Sequence, residues 1–131
     1  FRAVSKGGLF ELAKDLFRLT GERIDVGNIR KIIRSQKDDG DRSLKLLEKL
    51  LALKIEKIEA HKLMSPLHGI YSLRMADSHL ASSGLEDAYA LCHIDSKQPD
   101  VTQGCQLIHC CVSSLYKICS TLSKISKVVR G

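Results

Sequence analysis

Arg74 and His79 are the two side chains whose types and spacing are best suited to chemistry in this sequence. A guanidinium can hold a phosphate through two parallel hydrogen bonds, and an imidazole can move a proton near neutral pH. Cleavage of RNA by attack of the 2′-hydroxyl needs these two functions and no metal ion. On an ideal helix the two residues differ by about 140° in azimuth, so His79 at the helix end must turn back toward Arg74. The pair indicates a phosphate-handling site.

The elements that must position this pair are predicted to be helices. Aromatic residues make up only 5% of the chain and there is no Trp, which favours a core of Leu and Ile in helices over a sheet. No useful run of alternating apolar and polar residues is present. Apolar residues recur every three or four positions in six segments. These segments run from Gly7 to a stop at Gly21, from Asp25 to Arg34, from Asp41 or Arg42 to Met64, from Leu67 to Leu80, from Leu85 to Cys92 and from Val101 to Lys127.

Turn and cap residues set the predicted boundaries. Asp25 is placed to cap the second helix, and Ser65-Pro66 predicts a break after the longest helix and the start of a new one. Ala81–Gly84 is expected to end that helix. We therefore predict an all-α fold, an irregular bundle of about five to six helices that forms a single domain over residues 1–131.

The segment from Arg74 to His79, RMADSH, resembles the HEPN superfamily, in which an Arg is followed after four to six residues by a His in a late helix of a small bundle. Active members are metal-independent RNases of toxin and antiviral systems, and others are substrate-binding or scaffolding modules. Two copies of the motif usually meet across a dimer interface. The resemblance implies that Arg74 and His79 would be catalytic. The residue after the Arg is commonly polar in active members and is Met75 here, so Asp77 is a candidate auxiliary group.

A second interpretation of these residues needs no catalysis. Arg74 would be an exposed helix residue bonded to Asp77 three positions later, and His79 would interact favourably with the helix C-terminus. The chain would then be a helical interaction or oligomerisation domain of a larger protein. Whether the chain is an enzyme stays open at this point.

Basic residues suggest an anionic partner such as RNA. Most of the net charge of +6 lies in residues 1–62. Arg30, Lys31, Arg34 and Lys37 are expected on one exposed helical side, where they could contact phosphates without reading sequence. The alternative is a solvated helix surface, which such charge runs often form.

The five cysteines are odd in number and four lie in the last predicted helix, which favours reduced thiols in a cytoplasmic protein. Cys105 and His109 share a helix face and could supply two zinc ligands, but a structural zinc site needs four. The neighbours Cys92-His93 and His109-Cys110 point about 100° apart on a helix, which suits a nucleophile–base pair poorly. We therefore predict neither a metal site nor a cofactor.

The ends of the chain and its hydropathy bear on its context. It begins at Phe1 and ends at Gly131, and we interpret it as a fragment of a larger protein. No run reaches the roughly 18 apolar residues of a membrane span, so no membrane partner is expected. A homodimer or neighbouring domains of the full-length protein are the expected protein partners.

Overall fold

The computed structural model of the chain describes residues 6–33, 42–75 and 82–130. All regular secondary structure in these ranges is helical. No strand occurs in these ranges, so the predicted all-α bundle is confirmed. None of the helices found there is long and apolar enough to cross a membrane. The helices are α1 (Lys6–Leu19), α2 (Val26–Ile33), α3 (Ser43–Leu51), α4 (Lys57–Arg74), α5 (Ser82–Leu91) and α6 (Asp100–Arg130), with a 3-10 turn at Gly21–Arg23 between α1 and α2.

The first two helices and the last one follow the predicted boundaries closely. The N–H of Asn28 donates to Oδ1 of Asp25 at 3.1 Å, so the predicted cap of α2 is present. Gly21 follows the end of α1, as predicted. The Phe17 ring lies against this glycine, and a Cβ at this position would lie 2.3 Å from the ring. A residue without a side chain is required at this close approach.

Helix α4 is the centre of the bundle, and α1, α3, α5 and α6 all pack against it. Met64, Ile70 and Leu73 on α4 are fully buried, and Leu67 is only 2% exposed. Burial of one such side chain stabilises the fold by roughly 1.5–3 kcal/mol. Gly69 lets α5 approach, since a Cβ there would lie 2.5 Å from the sulfur of Cys92. Four of the other helices are therefore positioned by their packing against α4.

The predicted long helix from Asp41 or Arg42 to Met64 is wrong. The structure divides it into α3 and α4, which a reversal at residues 52–56 connects. Glu56 has an extended backbone, with φ −64° and ψ 151°, and is the N-cap residue of α4. Both halves carry apolar faces, and only a reversal lets these faces pack against each other. No Gly or Pro marks the boundary between α3 and α4. The free energy gained by burying the two apolar faces against each other therefore sets it.

The predicted break at Ser65-Pro66 is also wrong, because α4 runs through Pro66. Proline removes the backbone donor that would bond the carbonyl of Lys62 and costs about 3 kcal/mol inside a helix. The buried residues on both sides of Pro66 offset this cost. The hydroxyl of Ser114 on α6 donates to the Leu63 carbonyl at 2.7 Å, so a side chain from a neighbouring helix also supports this turn of α4.

Two further boundaries differ from the prediction. Helix α4 ends at Arg74 with Met75 as its C-terminal cap residue, whereas the predicted end is Leu80. Residues 76–81 lie outside the described residues. Helix α5 begins at Ser82, within the stretch Ala81–Gly84 that was expected to end the preceding helix, and before the predicted start at Leu85.

Candidate anion-binding groove at Arg74

A groove of about 340 Å³ lies where α1, the start of α3 and the second half of α4 meet. We call it the Arg74 groove. The first turn of α3 lines the groove, and its backbone N–H groups have no carbonyl partner within the helix. The groove is lined by Phe17, Arg42, Ser43, Leu44, Lys45, His68, Tyr71 and Arg74.

Two aromatic rings and a carboxylate hold the Arg74 guanidinium in place. Its Cζ atom lies 4.7 Å from the centroid of the Phe17 ring and 5.4 Å from that of Tyr71. The two rings are themselves in contact, with centroids 5.3 Å apart and planes tilted by 59°. Nη1 of Arg74 donates to Oε1 of Glu22 at 3.4 Å. These contacts orient a group that has five N–H donors, so some donors remain available to a ligand.

Three formal cations from two helices face the Arg74 groove, and no acidic residue is among the described residues that line it. Arg42 and Lys45 are exposed at the start of α3, and the Arg74 side chain is 31% exposed. Such a concentration of positive charge around a concave surface attracts anions.

Glu48 contacts two histidines of α4, one of which, His68, lines the groove. Its Oε1 atom is 3.3 Å from Nε2 of His68 and 3.2 Å from Nδ1 of His61. The two imidazole rings are 6.2 Å apart between centroids. The carboxylate therefore joins α3 to one face of α4, on which the two histidines are two turns apart.

The structure places only part of the sequence-predicted catalytic site. Arg74 is in the groove, whereas Asp77 and His79 lie outside the described residues. The contact partner of Arg74 is Glu22, 52 positions earlier in the chain, together with two rings that the sequence analysis did not connect with it. No local pattern could have indicated Glu22 as a partner, since the 3-10 turn that carries it approaches Arg74 only through the tertiary fold.

The predicted basic patch does not coincide with the groove. Arg30 is half-buried and Lys31 is exposed on α2, and neither lines the groove. Arg34 and Lys37 lie outside the described residues. Sequence reasoning missed Arg42 and Lys45 as candidate ligand contacts. The available signal was their spacing of three at a helix start, which places two cations beside the first turn.

The cysteines divide into two groups. Cys92, Cys110 and Cys111 are buried, whereas Cys105 and Cys119 are exposed on α6. Within the described ranges, no group of three or more His, Cys, Asp or Glu side chains has an arrangement that could hold a metal ion.

We expect the contacts of Arg74 with two aromatic rings to contribute to the stability of the fold. Replacing Arg74 with Ala should lower the free energy of unfolding by about 1–2 kcal/mol, because the cation–π contacts and the packing of the aliphatic stem are lost. Glu22→Gln should change it by less than about 1 kcal/mol, as expected of an exposed ion pair. Urea denaturation followed by far-ultraviolet circular dichroism measures both. An equal loss in the two variants would mean that the ion pair, and not the rings, holds Arg74.

Comparison with protein-family models, with curated proteins and with solved structures gives no significant match to this chain. Membership of the HEPN superfamily therefore stays a prediction that rests on the motif at Arg74 and His79 within a helical bundle.

Proposed function

We propose that this chain is an HEPN-like helical module that binds RNA through its phosphate backbone in the Arg74 groove. The observation that carries the proposal is the convergence of Arg42, Lys45 and Arg74 on one concave surface. The choice of RNA rests on the motif that contains Arg74 and His79. The proposal includes a cytoplasmic location, which five free cysteines support.

The chemistry of the groove favours contacts with phosphates over contacts with bases. The Phe17 ring is 6% exposed and is covered by Arg74 and Tyr71, so it offers no free face for stacking. Arginine and lysine side chains fix a nucleic-acid backbone in place and carry no sequence information by themselves. Binding in this groove should therefore be independent of sequence and sensitive to salt.

Reversing two charges tests the groove. The double variant Arg42→Glu/Lys45→Glu should weaken binding of a fluorescein-labelled single-stranded RNA by at least about tenfold, because two phosphate contacts are lost. The slope of log K against log salt should become shallower by about 1.4, at about 0.7 per phosphate for a single strand. Fluorescence anisotropy titrations at several salt concentrations give both quantities.

The matched control reverses two charges that lie away from the groove. Lys97 and Lys124 are exposed and do not line it. Lys97→Glu/Lys124→Glu changes the net charge by the same amount, and we expect it to reduce affinity much less. If both double variants weaken binding equally, only the overall charge matters and the groove is not the site.

Cleavage of the bound RNA by Arg74 and His79, with Asp77 as an auxiliary group, is the finer part of the proposal. His79→Ala should abolish metal-independent cleavage and leave RNA affinity unchanged, because the imidazole moves the proton while the groove holds the strand. Gel analysis of RNA products in the presence of a chelator measures cleavage. His61→Ala is the matched control and should cleave normally. Products that persist with His79→Ala would exclude this mechanism.

The second candidate function is self-association, and an uncharged surface of α6 favours it. Residues 101–116 contain no Lys, Arg, Asp or Glu, although the chain as a whole carries a net charge of +6. Val101, Val112 and Tyr116 are 47%, 59% and 77% exposed there, and Cys105 lies in the same row at helical spacing. A second copy of this chain could approach this surface without charge repulsion.

Charge insertion tests the α6 surface. Val112→Glu/Tyr116→Glu should raise the dimer dissociation constant by at least about tenfold, since desolvated charges would face each other. Sedimentation velocity over a concentration series measures it. Ile58→Glu places a charge on an equally exposed apolar residue of α4 and should leave the dimer intact. A wild-type chain that stays monomeric throughout would contradict self-association.

A further inference from the structure

A cavity of about 490 Å³ lies between the middle of α4, the residues after α5, and α6. We call it the α4–α6 cavity. It shares no lining residue with the Arg74 groove. Small-molecule sites in proteins usually measure about 300–1,000 Å³, so the size suits a small ligand. Six polar side chains in its wall are Lys62, His93, Gln106, His109, Ser113 and Lys117.

The wall that α6 contributes is polar along one row of the helix. Gln106, His109, Ser113 and Lys117 follow one another at spacings of three or four residues, so they lie on one helix face. At 1.5 Å per residue this row extends over roughly 16 Å. A ligand in the cavity therefore meets an amide, an imidazole, a hydroxyl and an ammonium group in succession.

Two hydrogen bonds fix the walls of the cavity. The hydroxyl of Ser114 on α6 donates to the carbonyl of Leu63 on α4 at 2.7 Å. The N–H of Asp95, after α5, donates to Oε1 of Gln106 at 3.0 Å, so the Gln106 amide keeps its own N–H donors for a ligand. The three walls are thus joined to one another without a ligand, as is usual for small-molecule sites.

One end of the cavity carries two positive charges. Lys62 directly precedes Leu63, and Lys117 follows Ser114 by three residues, so the Leu63–Ser114 hydrogen bond brings both lysines to the same end. No acidic residue is among the described residues that line the cavity. The two ammonium groups repel each other, and an anion bound between them would replace this repulsion with attraction.

His93 reaches the cavity from a position that glycine usually occupies. Its N–H donates to the Ala90 carbonyl at 3.2 Å, and the N–H of Ile94 donates to the Tyr89 carbonyl at 2.9 Å. This pair of hydrogen bonds is the Schellman motif, in which a left-handed residue ends the helix. His93 has φ 56°, which is uncommon for a residue with a side chain. Residues held in such conformations cluster at ligand sites, and this one places an imidazole in the cavity wall.

The composition of the wall indicates the class of ligand. A lone phosphate ion is much smaller than the cavity and would leave most of its polar wall unused. No Phe, Tyr or Trp is among the described lining residues, so an aromatic base would find none of these rings to stack on. Amide, hydroxyl and imidazole groups pair well with the hydroxyl groups of a sugar.

We propose that the α4–α6 cavity binds a sugar phosphate. Lys62 and Lys117 hold the phosphate, and Gln106, His109 and His93 bond the sugar hydroxyls toward the other end of the row. This site does not depend on RNA binding, because none of these residues lines the Arg74 groove.

Titrations followed by nuclear magnetic resonance test the proposal. The full chain, labelled with ¹⁵N, is titrated separately with glucose 6-phosphate, ribose 5-phosphate and inorganic phosphate. We expect at least one sugar phosphate to give saturable shifts of the amide signals of residues that line the cavity. Its dissociation constant should be at least about tenfold lower than that of inorganic phosphate, since the sugar adds hydrogen bonds.

Neutralising the lysines tests the phosphate contacts. Lys62→Gln/Lys117→Gln should weaken binding of the sugar phosphate by at least about tenfold, because two charge-assisted hydrogen bonds are lost. Both side chains are exposed, so the fold should tolerate the change. Lys54→Gln/Lys124→Gln removes the same charge from exposed positions outside the cavity and should bind normally. Arg42→Glu/Lys45→Glu, which disables the Arg74 groove, should also bind the sugar phosphate normally.

His93→Gly separates a ligand contact from a structural role. Glycine adopts a positive φ without steric conflict, so this variant should have a higher melting temperature than the wild type. Loss of the imidazole should nevertheless raise the dissociation constant of the sugar phosphate at least about fivefold, as expected for one lost hydrogen bond. A structural residue would show no such opposition of stability and binding.

Three results would overturn the proposal. The first is that neither sugar phosphate gives saturable shifts at the cavity. The second is that inorganic phosphate binds there as tightly as the sugar phosphates, which would leave the sugar without a role. The third is an equal loss of affinity in the two lysine-to-glutamine variants, which would mean that overall charge and not the cavity controls binding.

Discussion

Burial of α4 on several sides is the constraint on which the rest of the structure depends. Its residues between Ala60 and Leu73 are covered by α1, α3, α5 and α6 together, so all four of these helices are held against α4. The same burial explains how a proline is tolerated in the middle of the helix. The loss of one backbone hydrogen bond is smaller than the free energy gained from several fully buried apolar side chains.

This central helix lines more than one cavity. Tyr71 and Arg74 near its C-terminal end line the Arg74 groove, whereas Lys62 and Pro66 near its middle line the α4–α6 cavity of about 490 Å³. The groove depends on long-range contacts, since α1 supplies the ring on which the guanidinium lies. On another side of α4, the close approach at Gly69 places the Cys92 sulfur against the helix, and its thiol donates to the Pro66 carbonyl at 3.6 Å.

The sequence predicts well that the elements are helices, and it predicts poorly which residues contact each other in the folded chain. Periodicity and caps were sufficient for α1, α2 and α6, because local signals such as Asp25 operate within one helical turn. The reversal between α3 and α4 could not be predicted in this way, because no Gly or Pro marks residues 52–56 and the gain appears only when two apolar faces meet. The sequence analysis identifies Arg74 as a candidate but not Arg42 or Lys45. These two residues face the same groove as Arg74 only because α3 packs against α4, and their distance from Arg74 along the sequence hides this relationship.

The absence of a side chain at Gly69 bears on how relatives of this chain can be recognised. A Cβ at this position would overlap the Cys92 sulfur and approach Leu91 Cβ to 2.9 Å, so a homologue with the same α4–α5 contact must retain glycine or change both surfaces together. Gly69 precedes Arg74 by five positions, and Arg74 precedes His79 by five. A search pattern that requires all three residues at this spacing is more restrictive than the Arg–His pair alone.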